Sequence, residues 1–317
     1  MTPTRLMARC AVRAPPAHRR RALGWLALVA SVPTVAPTQE LEPRAYVATP
    51  IGTTFLVVGD TYSSGSAVFD ATSPFSNVHA SFSEADLSVG QVFALAGRQA
   101  SLLVALPYAR GDVTGDVGGN QERADRSGLA DARLRFSLLL MGGPALKMAD
   151  FGSREQQTIL GISLTAVAPT GQYDSTKLIN ISTNRWALKP EIGLSVPEGR
   201  WLFDLYEGVW FFGDNDNFYG GHRRAEDPIL STQAHVSYTL QPRLWVAVDT
   251  TYYTGGAVTV NGAPSSGALH NVRVGVTTSV PLARTQSLKF SYSNGAVTRV
   301  GGNFRSIGVA WQYAFIH

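Results

Sequence analysis

The last twelve residues read SIGVAWQYAFIH (306–317), with Ile307, Val309, Trp311, Tyr313 and Phe315 on one face and Ser306, Gly308, Ala310, Gln312 and Ala314 on the other. A two-residue period of this kind belongs to a strand. Large apolar groups crowd one side and small or polar groups the other, so the two faces are expected to meet different surroundings.

The same alternation recurs upstream. In RWALKPEIGLSV (185–196) Trp186, Leu188, Ile192 and Leu194 oppose Arg185, Lys189, Glu191 and Ser195. DARLRFSLLL (131–140) sets Leu134, Phe136 and Leu138 against Asp131, Arg133 and Arg135, and NVRVGVTTSV (271–280) sets Val272, Val274 and Val276 against Asn271 and Arg273. Counting such segments predicts twelve strands, near 53–62, 84–95, 100–109, 129–140, 157–168, 184–196, 200–212, 229–240, 244–253, 271–282, 287–293 and 304–315. Most are close to the roughly 9 to 11 residues that a tilted strand needs to cross a bilayer.

A soluble sheet with one wet face would alternate in the same way, so the connections have to discriminate. Tight turns are expected at 96–99, 197–200, 241–243 and 283–286, with a longer link at 142–156. Between them lie polar stretches at 63–83, 111–128, 169–183, 213–228, 254–270 and 294–303. Short turns on one rim and long loops on the other predict an all-β fold: a transmembrane antiparallel up-and-down barrel with periplasmic turns and extracellular loops. An even strand number closes it without a free edge, which lipid requires. Tyr108, Trp186 and Tyr252 fall near the long-loop ends of their strands, and Trp201, Tyr238, Tyr313 and Phe315 near the short-turn ends, as two interfacial girdles would. RWLFDLYEGVWFF (200–212) resists either phase, because one of Asp204 and Glu207 must face the wrong side; a bulge is expected there.

Composition agrees. The 317 residues hold 31 Gly and only four Met, which suits many strands joined by turns. The pI of about 9.3 invites a nucleic-acid reading, but residues 1–39 carry six Arg and no acid, so the remainder has 21 bases against 23 acids. Those 39 residues pair a basic stretch with an apolar core from Ala22 to about Val32. They are expected to form a secretory signal peptide, cut between about 36 and 40, with residues 40–317 as the barrel. Cys10 lies in that leader, so the exported part has no thiol for disulfides or zinc.

The inward faces would carry Arg133, Arg135, Arg185, Lys189, Arg273 and Lys289 with Glu84, Asp86, Asp131, Glu191 and Asp249. Confined together, these charges are expected to form ion-paired ladders, either as a selectivity lining or as lumen filling. GDNDNFYGG (213–221) resembles a calcium loop, but Phe218 and Ala225 stand where ligands should be, so an Asx-rich turn is the better reading. His235 shares an inward face with Gln233 and Ser237, and no G-x-S-x-G occurs, so it reads as a lumen hydrogen-bonding group.

Several stretches, among them LEPRAYVATPIGTTFLVVG, SGLADARLRFSLLL, APTGQYDSTKLINISTNRWALKPEIG, GVWFFGDNDNFYGG and GVAWQYAF, together resemble the outer-membrane barrel family named for the MetA-pathway of phenol degradation. The resemblance runs from about Leu41 to Phe315 and implies a transporter of aromatic or other hydrophobic compounds in the bacterial outer membrane. It brings no catalytic residues and no cofactor. The terminal strand also resembles the signal read by the outer-membrane assembly machinery, with His317 departing from the usual terminal aromatic.

The expectation is therefore a non-enzymatic channel for a small solute, embedded in outer-membrane lipid, without cofactor, metal or nucleic-acid partner. Tyr173, Arg185, Trp186, Phe218 and Tyr219 are expected to form a substrate-binding vestibule, where rings stack on aromatic solutes and Arg185 meets a phenolate. Asp131, Arg133, Arg135, Lys189, Glu191, His235, Asp249, Arg273 and Lys289 are expected to line the lumen. The alternatives are a barrel enzyme acting on lipid or lipopolysaccharide, and a closed structural barrel.

Overall fold

The structure is a computed structural model that describes residues 41–68, 75–117 and 120–316. The expected signal peptide and its cleavage site lie outside these residues.

Seventeen strands follow in chain order: β1 (Thr53–Val68), β2 (Phe75–Leu95), β3 (Arg98–Val117), β4 (Asn120–Leu129), β5 (Ala132–Met141), β6 (Ile159–Ala168), β7 (Ala187–Glu198), β8 (Trp201–Phe212), β9 (Asn215–Phe218), β10 (His222–Glu226), β11 (Ile229–Gln241), β12 (Leu244–Gly255), β13 (Val258–Val260), β14 (Ala263–Ser266), β15 (Leu269–Ala283), β16 (Gln286–Val297) and β17 (Gly301–Ile316). A single helical turn, α1 (Met148–Phe151), sits in the long link between β5 and β6. Twelve of the strands close into one antiparallel ring: β1, β2, β3, β5, β6, β7, β8, β11, β12, β15, β16 and β17. The seam is β1 against β17, from Thr53↔Ile316 to Val68↔Gly301. Closure leaves no unpaired edge in the wall, the condition that lipid imposes. β4 continues the line of β5 past a break at Ala130 and Asp131 and pairs with the outer half of β3. β9, β10, β13 and β14 form a small separate sheet.

Burial along the wall is inverted relative to a soluble protein, since large apolar side chains are the exposed ones. Leu188, Ile192, Leu205, Val248, Val276 and Ile307 are each more than 40% exposed, while Lys189, Glu191, Asp249 and Arg273 are buried. Outward apolar and inward polar groups are what a lipid-solvated barrel demands. The girdles fall where alternation put them, with Tyr108, Trp186 and Tyr252 exposed near the long loops, Trp201 against Tyr238 at 4.7 Å and Tyr313 against Phe315 at 4.3 Å. The β2–β3 connection is tight, with Ala96 and Gly97 at φ +48° and +73°, the left-handed pair that matches strand twist in a two-residue hairpin.

Two expectations are corrected. Residues 76–83 and 111–117, read as loop, extend β2 and β3 to 21 and 20 residues. Their outer face carries cross-strand polar pairs such as Asn77 to Asp116 (2.7 Å) and Ser81 to Asp112 (2.8 Å), and their inner face the apolar Val78, Ala80 and Phe82, the reverse of the pattern in the lipid-facing wall. The second is the bulge in β8, which is absent: β8 pairs with β11 without a register shift. Tyr206 and Trp210, fully buried, set the phase. Asp204 therefore points inward, where it accepts from Ser195 Oγ at 2.6 Å, and Glu207 takes the outward side.

Candidate functional site

The bore has two halves of different chemistry. In the periplasmic half, residues 41–52 form a strap that leaves β1 and crosses the lumen. Thr49 N donates to Gln99 Oε1 at 2.7 Å at one wall. Arg44 reaches the other, donating to Thr239 Oγ1 at 2.8 Å and stacking 4.7 Å over Trp245, while its backbone N–H donates to Asp204 Oδ2 at 3.2 Å. Between them Tyr46 is fully buried, edge-on to Tyr206 at 5.1 Å. Its ring fits because Gly161 and Gly193 lie beneath it: a Cβ at either would stand 2.3 or 2.2 Å from ring carbons.

Glu191 is the hub of this half. One oxygen accepts from Tyr46 Oη at 3.0 Å and Arg135 Nη2 at 3.1 Å, the other from Lys189 Nζ at 2.7 Å and Gln233 Nε2 at 3.3 Å. Arg135 also pairs with Glu42 of the strap, and Arg133 with Glu84 at 2.7 Å. Part of the expected ion-paired ladder is present, among Arg133, Arg135, Lys189, Glu84 and Glu191, and it includes the strap residue Glu42, which alternation could not place there. His235 Nδ1 lies 2.7 Å from Asp249 Oδ1, and Thr277 Oγ1 donates to Asp249 Oδ2 at 2.6 Å. The His235 Nε2 atom has no hydrogen-bond partner among the described residues.

Asp131, expected in the lumen, instead clasps the loop that follows β6. It accepts from Gly171 N (3.0 Å), Ser182 Oγ (2.6 Å), Thr183 N (2.9 Å) and Thr183 Oγ1 (2.9 Å). Because it sits at the break between β4 and β5, a carboxylate there can cap several loop donors at once.

The extracellular half holds a cavity of about 160 Å³. That is close to the roughly 150 Å³ that accepts benzene in an engineered apolar core. Val78, Phe82, Leu178, Ile179, Val258, Leu269 and Phe304 line it, with Phe82 edge-on to Phe304 at 5.4 Å. Its polar lining includes Arg224, Glu226, Asn271 and Arg273. Arg224 donates to Glu226 Oε2 at 3.0 Å, and Arg185 shares the same carboxylate. Burial pushes the Arg224 guanidinium below its ordinary value; Glu226 raises it and Arg185 lowers it again. Among the described residues no cluster of His, Cys, Asp and Glu is placed to hold a metal ion.

None of the five vestibule residues lines this cavity. Tyr173 Oη donates to Asn217 O at 3.1 Å and accepts from Asn215 Nδ2 at 2.9 Å, tying the loop after β6 to β9. Phe218 is buried with Val260, against Leu178 and Tyr219. Arg185 lies 4.4 Å from the Phe212 ring, and Trp186 is 57% exposed on the outer wall. The loop itself does reach the cavity, through Leu178, Ile179 and Ile181. The signal for them was the apolar run in LINI (178–181), set in an otherwise polar loop.

A family model described as "Putative MetA-pathway of phenol degradation" matches residues 66–312. No curated protein sequence matches the chain. Among solved structures, the COG4313 outer membrane channel from Pseudomonas putida F1 superposes with a TM-score of 0.76 at 23% identity, covering 87% of this chain and all of that one. The beta domain of the Bordetella autotransporter Brka gives 0.51 at 12% identity, covering 83% and 100%. The transport unit of the autotransporter AIDA-I from Escherichia coli gives 0.50 at 10% identity, covering 92% and 98%. At these identities the likenesses establish the fold, that of an outer-membrane barrel.

Proposed function

The chain belongs to the MetA-pathway of phenol degradation family, and from that premise we propose that it is an outer-membrane channel for small hydrophobic solutes, aromatic compounds foremost. The observation that carries this reading is the apolar cavity on the loop side of the barrel, sized for one ring and walled by Phe82, Leu178, Leu269 and Phe304. An apolar solute gains by leaving water for such a site, at roughly 25 cal/mol for each Å² of apolar surface covered. The polar strap-filled half beneath it suits ions and hydrophilic solutes poorly, because its charges are already paired.

In this reading the two outer loops act as a roof. Tyr173, Phe218 and Tyr219 hold it together and Arg185 fixes Glu226, while Trp186 anchors the rim at the membrane surface. The test is uptake of a labelled alkylbenzene by a porin-deficient Gram-negative host with intact lipopolysaccharide, with and without this protein. Uptake should rise severalfold on expression. Equal rates would overturn the reading. A closed structural barrel is the second reading, favoured by the strap across the bore; it predicts no change in uptake and no single-channel conductance in planar bilayers.

A further inference from the structure

Four cationic side chains are buried among the described residues: Arg185, Lys189, Arg224 and Arg273. The first three each pair with a carboxylate, Glu226 or Glu191. Arg273 pairs with none among the described residues. Its Nη2 donates to Ser293 Oγ at 2.8 Å and Ser306 Oγ at 3.4 Å, both neutral, and its Nε has no partner. The residue is 4% exposed and lines the apolar cavity.

A guanidinium cannot escape burial by losing its proton. Enclosed with only hydroxyls, it keeps an uncompensated charge, which protein interiors tolerate poorly. The neighbouring charges do not supply the balance: Arg185 and Arg224 share the carboxylate of Glu226, and of the other charged groups lining the cavity Arg110 and Arg126 are basic and only Asp112 is acidic. Positive charge is therefore in excess in the lining, together with apolar walls made of Val78, Phe82 and Phe304. The complement of that surface is a molecule with one apolar ring and one anionic head.

We propose that Arg273 is the anchor for the head group of a small aromatic monocarboxylate bound in this cavity. The inference rests on the reading of the cavity as the solute site and narrows the solute class. A carboxylic acid, with a pKa near 4, is ionised at neutral pH, whereas a phenol, near 10, is not; only the former balances the charge. The planar guanidinium also matches a carboxylate in two parallel hydrogen bonds.

The test compares benzoate with benzyl alcohol by calorimetric titration of the barrel in lipid nanodiscs, with empty nanodiscs subtracted. At pH 7 benzoate should bind at least about tenfold more tightly than the alcohol. Arg273→Met, which keeps the apolar stem, should abolish that preference and leave the alcohol unchanged. A wild-type barrel that binds the two equally, or a preference that survives Arg273→Met, overturns the anchor while leaving a hydrophobic solute site standing. Binding of neither compound overturns both the anchor and the solute site. Folding of the variant is read from heat-modifiable gel migration. If it does not fold, wild-type protein titrated from pH 7 to below the benzoate pKa decides: the preference should vanish, and its persistence overturns the anchor.

Discussion

The two halves of the bore are built on the same alternating strands, yet they treat charge in opposite ways. Around Glu191, Lys189 and Arg135 meet carboxylates and the strap adds Glu42 and Tyr46 to the network. Around Arg273, a cation meets two serines and an apolar wall. Buried charges that are fully paired make a sealed, rigid filling, because no member can leave without stranding its partner. In the proposed reading, an under-paired charge beside apolar walls marks the half that binds the solute. The difference teaches where to look in a barrel of this kind: not at the number of charges lining the lumen, but at which of them lack a counter-charge.

The contrast is most exposed at Glu191. Glu191→Gln removes the carboxylate that Lys189 and Arg135 share in a buried setting and should cost about 3–5 kcal/mol. Urea unfolding of the barrel refolded into vesicles would measure this, and a loss below 1 kcal/mol would mean that the paired half is not the stabilising one. Gly193→Ala acts on the seal instead. The new Cβ occupies the Tyr46 ring position, so the strap should be displaced and single-channel conductance should rise about threefold or more. Unchanged conductance would show that the bore is closed by something other than the strap.

In the outer half, Phe304→Ala removes an edge-to-face ring pair worth about 0.5–1.5 kcal/mol and should lower aromatic uptake about fivefold, with conductance unaffected. The smallest effect is expected at the roof. Tyr173→Phe deletes a half-buried hydroxyl bonded to Asn217 and Asn215, and uptake should change less than about twofold. A larger drop would move the binding site outward, toward the loops and away from the cavity.

Much of the wall was legible because each residue reports its own face. Residues 187–196, 271–280 and 306–315 have a side chain in lipid and the next in the bore, and period two survives without knowledge of any partner. The strap was not legible. LEPRAYVA (41–48) has no period, and its partners Ser163, Glu191 and Asp204 lie more than a hundred residues away. The outer halves of β2 and β3 were missed because their pattern is the reverse of the wall's, with Val78, Ala80 and Phe82 turned inward and polar groups such as Asn77 and Ser81 turned outward. The vestibule residues were chosen for aromatic character, but Tyr173 and Phe218 use it to pack loop on loop. The cavity is walled by other groups, Leu178 and Ile181 from the loop and Phe82 and Phe304 from the barrel. Arg273 was legible as an inward cation; that it lacks a counter-charge depends on what stands on β16 and β17, and no spacing reveals it.

The seam has a consequence in time. Thr53 lies in register with Ile316, so the cylinder cannot be sealed until β17 has been delivered. A chain interrupted before β17 would leave β1 and β16 with open edges, a state that hydrocarbon penalises heavily. Assembly is thus self-inspecting: a truncated product has no stable place among acyl chains and stays available to proteases, whereas a complete one becomes inaccessible the moment its two ends join.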